Sequence, residues 1–320
     1  MIRYVIKRVL WLIPVIICVS LIIYALMDLA PGTVVDQMIN EQTTPEQIEA
    51  LRKQFHLDKP MLYRYGLYMW GLLQGDLGKS QVTGLSVFNQ FMMRFPNTLL
   101  LAFVGTILGI AMAIPLGMFA AKRAGTVWDN LATTFSMIGL SMPGFWISLL
   151  LIIAFTDKIK LFPSHGFSDW RSIVLPAVSC GLVVAAATMR QTRSSMLEVS
   201  KQDYLRTARA KGVSEKDVSR KHALGNAWIP IITTIGNTLS RVLAGSAVVE
   251  AVFSWPGVGR LTVDAVSQRD VTMACGCVIL TSILYVLVLL VVDLVFAAVD
   301  PRIKAQYVNR AKKRRKEAAA

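Results

Sequence analysis

Six stretches of the chain stay apolar for longer than a helix in a water-soluble core requires. They run from about Val9 to Met27, Thr98 to Ala121, Leu131 to Thr156, Ile173 to Met189, Ala227 to Phe253 and Val271 to Val299. A helix needs about 20 apolar residues to cross a bilayer, and each stretch is of that order. Lipid offers the backbone no hydrogen-bond partners, so the spanning segments must satisfy their own amides and carbonyls. The pattern predicts an all-α polytopic membrane protein with six transmembrane helices.

Composition agrees with this, at 54% hydrophobic and 17% charged residues. The net charge of +14 raises the question of nucleic acid, and the placement of the charges answers it. About 22 of the 34 Lys and Arg lie before the first stretch, between the second and third, between the fourth and fifth, and after the sixth. In an alternating chain those four places share one side, and the positive-inside rule makes that side, with both termini, cytoplasmic. Membrane lipids are therefore expected partners and nucleic acid is not. Arg3, Lys7 and Arg8 precede the first stretch as they would in a secretory signal. The following Met27-Asp-Leu-Ala-Pro-Gly32 lacks a small-x-small cleavage site, so a retained anchor is expected. The basic run Arg310 to Lys316 reads as a solvated cytoplasmic tail, with attraction to anionic head groups as the alternative.

Candidate chemistry is sparse. No G-x-S-x-G, no H-E-x-x-H and no paired intramembrane carboxylates occur, so no catalytic residue is expected. Leu73-Gln-Gly-Asp-Leu-Gly-Lys-Ser80 imitates a nucleotide-binding loop. It lacks the first glycine, follows no strand and falls on the outer side, where no ATP is available. Cys275-Gly-Cys277 has no histidine or carboxylate cluster beside it, and His56, His165 and His222 lie in different loops, so neither a metal nor a cofactor is expected. Gly105 and Gly109 form a small-xxx-small pair suited to close helix packing. Arg241 and Asp293 are ionisable groups within membrane segments, where such residues are costly. Their depths differ by roughly 12 Å at the helical rise, which disfavours a direct pair. Arg241 is expected to face a hydrated cavity, and a role on a solute pathway is a candidate reading for it.

Local signals place helices in the loops. Thr44-Pro45-Glu46-Gln47 has the form of a capping box with proline at the first helical position. Met61 to Leu73 carries Tyr63, Tyr65, Tyr68 and Trp70, as a helix lying at the membrane interface would; a platform for an external partner is the alternative. In the inner loop, Ser200-Lys-Gln-Asp203 and Ser214-Glu-Lys-Asp217 both match the capping box. A helix is expected from Lys201 to Lys211, ended by Gly212, with a second helix directly after it. Tyr204, Ala208 and Gly212 recur at intervals of four and form a smooth strip bordered by Arg206, Arg209 and Lys211. A helix meant for lipid would carry bulky apolar residues opposite its charges, so the strip points to docking against a protein.

Asp203-Tyr-Leu-Arg-Thr-Ala-Arg-Ala-Lys-Gly212, followed by His222-Ala-Leu-Gly-Asn-Ala-Trp-Ile-Pro230, resembles the EAA loop of permease subunits in binding-protein-dependent ABC importers. It is most similar to the oligopeptide, dipeptide and nickel branch. Arg206 and Thr207 depart from the general E-A-A-x-x-x-G form, as is typical of that branch, while Ala208 and Gly212 match it. Leu29-Ala-Pro-Gly32, Gly75-Asp-Leu-Gly78, Phe95-Pro-Asn-Thr98, Val249-Glu-Ala-Val-Phe-Ser-Trp-Pro-Gly-Val-Gly259 and Asp300-Pro-Arg302 extend the similarity along nearly the full length. The resemblance implies the type I importer (MetI-like) permease fold in a bacterial inner membrane, without an ATPase site of its own. It divides the chain into an anchor (1–30), an extracytoplasmic region with amphipathic helices (31–94), a transport core (95–297) with a coupling loop (200–225), and a basic tail (298–320). It makes Tyr204, Arg206, Ala208, Arg209, Lys211, Gly212 and His222 the coupling helix and its surroundings. The implied partners are two cytoplasmic ABC ATPase subunits, a homologous second permease and an extracytoplasmic substrate-binding protein. The resemblance sets Glu250, Trp255, Pro256 and Gly257 at the outer end of the fifth segment, as an outer gate or a structural corner. Peptides are the expected cargo, with nickel chelates, opines or other small solutes as alternatives. A secondary transporter is the rival class.

Overall fold

The computed structural model describes residues 2–39 and 43–299. The motif Asp300-Pro-Arg302 and the run Arg310 to Lys316, and with them the basic tail beyond residue 299, lie outside the described residues. Among the described residues thirteen α-helices run in the order α1 (Ile2–Leu29), α2 (Pro45–Gln54), α3 (Met61–Leu73), α4 (Val87–Lys122), α5 (Val127–Ser141), α6 (Gly144–Ile152), α7 (Val174–Ser200), α8 (Asp203–Ala210), α9 (Glu215–Asp217), α10 (Leu224–Gly245), α11 (Ala247–Val252), α12 (Val258–Ser267) and α13 (Val271–Val299). Among the described residues β pairing is confined to an isolated bridge between Lys79 and Ser86.

Among the described residues, four helical stretches are long and apolar enough to cross a membrane: Val5–Leu29, Val87–Lys122, Trp170–Ser200 and Val271–Leu294. A fifth crossing arises if α5 and Gly144–Lys158 form one span, bent by 103°. The third apolar stretch is thus broken rather than continuous. Pro143 disfavours helical geometry at the residue before it, and Met142 is extended at φ −74°, ψ 129°. The fifth stretch is helical as α10 and then α11. Thr234, Asn237, Thr238 and Arg241 make α10 amphipathic, unlike the uniformly apolar spans.

The chain forms two compact units. Of the described residues, the first comprises Ile2, 100–243 and 287–299. Small residues of α4 dictate its packing. A Cβ on Gly109 would lie 2.6 Å from the Gly181 carbonyl oxygen, and one on Gly117 would lie 2.6 Å from Thr192 Cβ. With Gly105 and the fully buried Ala113, these positions form a stripe at four-residue intervals that lets α7 approach backbone to backbone. The α5 helix is tied to α7 by a paired fork, Arg193 Nε to Asp129 Oδ1 at 2.5 Å and Arg193 Nη2 to Asp129 Oδ2 at 2.7 Å. The Ser148 and Ser179 hydroxyls, 2.8 Å apart, join α6 to α7.

The second unit comprises residues 3–99 and 244–286. Its core holds Met27, Val87, Phe91, Val258, Leu261, Met273 and Cys277. The α3 helix lies against α1 through Tyr65, whose hydroxyl reaches Ser20 Oγ at 3.0 Å and donates to the Ile17 carbonyl at 3.1 Å. Arg64 pairs with Asp28. At the start of α2 the Gln47 amide donates to Thr44 Oγ1 at 3.3 Å and the Thr44 amide to Gln47 Oε1 at 3.0 Å, which is the reciprocal cap its sequence calls for. The nucleotide-loop lookalike is a turn whose Ser80 hydroxyl bonds Asp270.

Candidate functional site

Loop 200–225 in the first unit is built from a helix with a fixed end. The α8 helix stops where Gly212 takes φ +78°, a conformation that side chains with a Cβ disfavour. The Gly212 amide donates to the Arg209 carbonyl at 2.9 Å and the Val213 amide to the Ala208 carbonyl at 3.3 Å. That pair of bonds is the Schellman arrangement, and Val213 packs against the same apolar cluster as Ala208. Across the corner Arg209 Nε donates to Glu215 Oε1 at 2.6 Å. The Arg209 guanidinium holds the Glu215 carboxyl below its ordinary range, and the Lys221 ammonium and Ser214 hydroxyl do the same for Asp217.

Two local expectations need correction. Ser200 does not cap α8. It remains the last residue of α7, its hydroxyl bonded to the Leu197 carbonyl at 2.7 Å, and extended Gln202 precedes α8 without a side-chain bond. Ser214 does act as a cap, accepting from the Asp217 amide at 3.2 Å. The helix it starts is only Glu215–Asp217, which continues through a π turn, Val218–Ala223, into α10.

The docking strip also changes. Ala208 is buried, together with Leu205, against Met196, Val218, Ala223, Ala227 and Ile231. Its small side chain serves the loop's own packing, so the strip through Tyr204, Ala208 and Gly212 is not open along its length. The exposed surface instead presents Tyr204, Arg206, Arg209, Lys211, Gly212 and His222. Arg206 is 80% exposed and only 3.8 Å from Asp203, leaving its charge facing solvent.

The corner after α11, in the second unit, is organised by Glu250. This side chain is fully buried. Its Oε1 accepts from Thr98 Oγ1 at 2.8 Å and Ser246 Oγ at 3.0 Å, and its Oε2 accepts from the Arg260 amide at 3.1 Å. Thr98 Oγ1 in turn accepts from the Val258 amide at 2.9 Å, which fixes the direction of its own proton toward Glu250. Asn97 donates to the Pro256 carbonyl at 2.9 Å, and Trp255 Nε1 donates to the Asn97 carbonyl at 3.0 Å. A Cβ on Gly257 would stand 2.3 Å from Glu250 Oε2. Glu250 and Trp255 are thus enclosed by the chain's own groups. Residues 97–98 are thereby stitched to residues 250–260.

Arg241 lies on the exposed side of α10, lining a cavity of about 430 Å³ with Arg190, Gln191, Ser194, Asn237 and Thr238. Arg190 was not singled out by its sequence context, nor were Thr98, Asn97 and Ser246. The nearest signal was Phe95-Pro-Asn-Thr98, which marks a motif but not a partner about 150 residues away. Cys275 and Cys277 are buried in α13, and no group of three His, Cys, Asp or Glu gathers at metal-binding spacing among the described residues.

Two family profiles match the chain. Residues 113–305 match the binding-protein-dependent transport system inner membrane component, and residues 1–102 match the N-terminal region of such membrane components. The glutathione transport system permease protein GsiC of Escherichia coli O6:H1 is 38% identical over 304 residues, covering 95% of this chain and 99% of GsiC. The GsiC of Shigella dysenteriae serotype 1 is likewise 38% identical over the same coverage. Among solved structures, an inward-facing form of the MetNI methionine ABC transporter matches with a TM-score of 0.57 at 20% identity, covering 67% of this chain and 97% of that one. This last likeness concerns the fold.

Proposed function

The chain belongs to the family of binding-protein-dependent transport system inner membrane components, and from that premise we propose that it moves peptides or peptide-like solutes as one half of an importer's translocation pathway. It is a multi-pass permease subunit of the bacterial inner membrane, and ATP hydrolysis resides in separate subunits of such systems. The peptide reading is supported by the glutathione permeases, which are similar along almost the whole length. In this proposal a second, homologous permease completes the pathway, residues 95–297 form its core, and both termini and loop 200–225 face the cytoplasm.

One observation carries the coupling role. Leu205 and Ala208 of α8 share a single apolar cluster with Met196 of α7, Ala227 and Ile231 of α10, and Met118 and Ala121 of α4. The loop is therefore not a loose connection. A push on its exposed Tyr204 and Arg206 is delivered through packed side chains to three long helices, as a close-packed interior transmits strain.

The test is uptake into proteoliposomes carrying this chain with its ATPase and permease partners. With ATP inside and binding protein outside, labelled di- and tripeptides should accumulate. Peptide accumulation by this chain alone, driven by an ion gradient without ATP, would refute the importer coupling and favour a secondary transporter.

A further inference from the structure

The cavity between α7 and α10 is lined by cationic and neutral polar side chains. Its lining places Arg190 and Arg241 together with Gln191, Ser194, Asn237 and Thr238, and no acidic residue lines it. Arg193, one turn along α7 from Arg190, shows how this unit satisfies an arginine internally, through two hydrogen bonds to the buried Asp129. Arg190 and Arg241 have no hydrogen bond or ion pair of that kind among the described residues. Asn237 and Ser194 are exposed beside them and likewise make no side-chain bond within the described chain. Arg190 lies in Trp170–Ser200, which is long and apolar enough to cross a membrane, and a cationic group within such a helix is costly unless hydrated or compensated. A recess of about 430 Å³ is large enough for a small ligand.

We propose that this recess is a carboxylate-binding site for cargo, in which Arg190 and Arg241 pair with a carboxylate of the passing solute while Asn237 and Ser194 supply hydrogen bonds. The assignment rests on the importer reading above and specifies its substrate class: solutes with at least one free carboxylate. Guanidinium groups suit this role because their planar donors match the two oxygens of a carboxylate. Thr238 also lines the recess. Its hydroxyl already donates to the Thr234 carbonyl at 2.8 Å, which leaves its oxygen free only to accept. A lipid phosphate is the rival oxyanion, and the experiment separates it from cargo.

The full chain with its partner subunits is reconstituted in phosphatidylcholine vesicles and treated with phenylglyoxal, and modification of each arginine is followed by mass spectrometry. Arg190 and Arg241 should react, while Arg193 should react slowly. Trialanine and N-acetyl-trialanine should protect Arg190 and Arg241, and trialaninamide should not. The Arg241→Gln variant should raise the trialanine concentration that half-protects Arg190 by about tenfold, the loss of one charge-assisted contact. Arg241→Lys should raise it less. Equal protection by all three probes, protection by none, or protection produced only by added phosphatidylglycerol overturns the assignment. ATP-driven uptake is measured on the same vesicles. Protection without uptake would count against the importer reading and leave the site standing; uptake without protection would do the reverse.

Discussion

Truncating Glu250 tests whether the corner is a scaffold or a gate. Its carboxyl accepts from Thr98, Ser246 and the Arg260 amide, and all of these lie in a region where the glutamate itself has no exposure. Glu250→Ala removes the common acceptor and strands its donors, and a buried donor left without a partner costs about 1–3 kcal/mol. The two hydroxyls can rotate toward other acceptors, but the Arg260 amide is fixed in the backbone. The stranded amide, with partial losses at the two hydroxyls, makes about 4 kcal/mol the expected cost. Glu250→Gln keeps an acceptor for Thr98 and Ser246 but can turn an amide group toward the Arg260 amide. Its cost should be smaller, about 2 kcal/mol. The assay is thermal unfolding of the purified chain in detergent, followed by the fluorescence of its 7 tryptophans, of which Trp255 sits in the corner. A midpoint about 10 °C lower is expected for Glu250→Ala, with Glu250→Gln between it and the parent. If Glu250→Ala unfolds like the parent while transport is lost, the side chain acts on cargo and the scaffold argument fails.

Three further outcomes follow from the same geometry. Gly109→Leu should separate α4 from α7, since even a Cβ there would lie 2.6 Å from the Gly181 carbonyl oxygen; overpacking of this kind costs about 1–3 kcal/mol or more, read as a lower midpoint in the same unfolding assay. Ser254 holds φ +50° at the end of α11, where glycine has no Cβ penalty, so Ser254→Gly should leave the fold intact and raise stability by up to about 1 kcal/mol. Glu215 is held below its ordinary range by Arg209, so the pair's contribution to the loop is complete above about pH 5 and fades as pH falls through the lowered value. Hydrogen exchange across residues 203–217 should therefore accelerate in acid, and because the pair is exposed, high salt should weaken the effect.

Apolar run length was enough to reveal the class of fold, and α3 and α13 begin and end where their patterns predict. What local pattern could not reveal was how a signal would be used once neighbours were present. Ser200 carries a cap motif, yet α7 extends far enough to absorb it. Ala208 is small for the sake of its own cluster, and periodicity alone does not say which body a small face meets. Pro143 breaks a stretch that hydropathy reads as continuous. Long-range polar partners were the least legible. Nothing near Glu250 in sequence announces Thr98, and Arg190 becomes notable only when α7 and α10 bring it to the same recess as Arg241.

The account's central claim is that loop 200–225 passes work from an ATPase to the helices. The direct measurement is ATP-driven uptake and ATPase co-purification for a chain carrying Tyr204→Ala and Arg206→Glu, both on the exposed surface and outside the buried cluster. The account predicts an inserted chain with the parent's unfolding midpoint, markedly weaker ATPase retention and little uptake. Retention and uptake at the parent's level would contradict it.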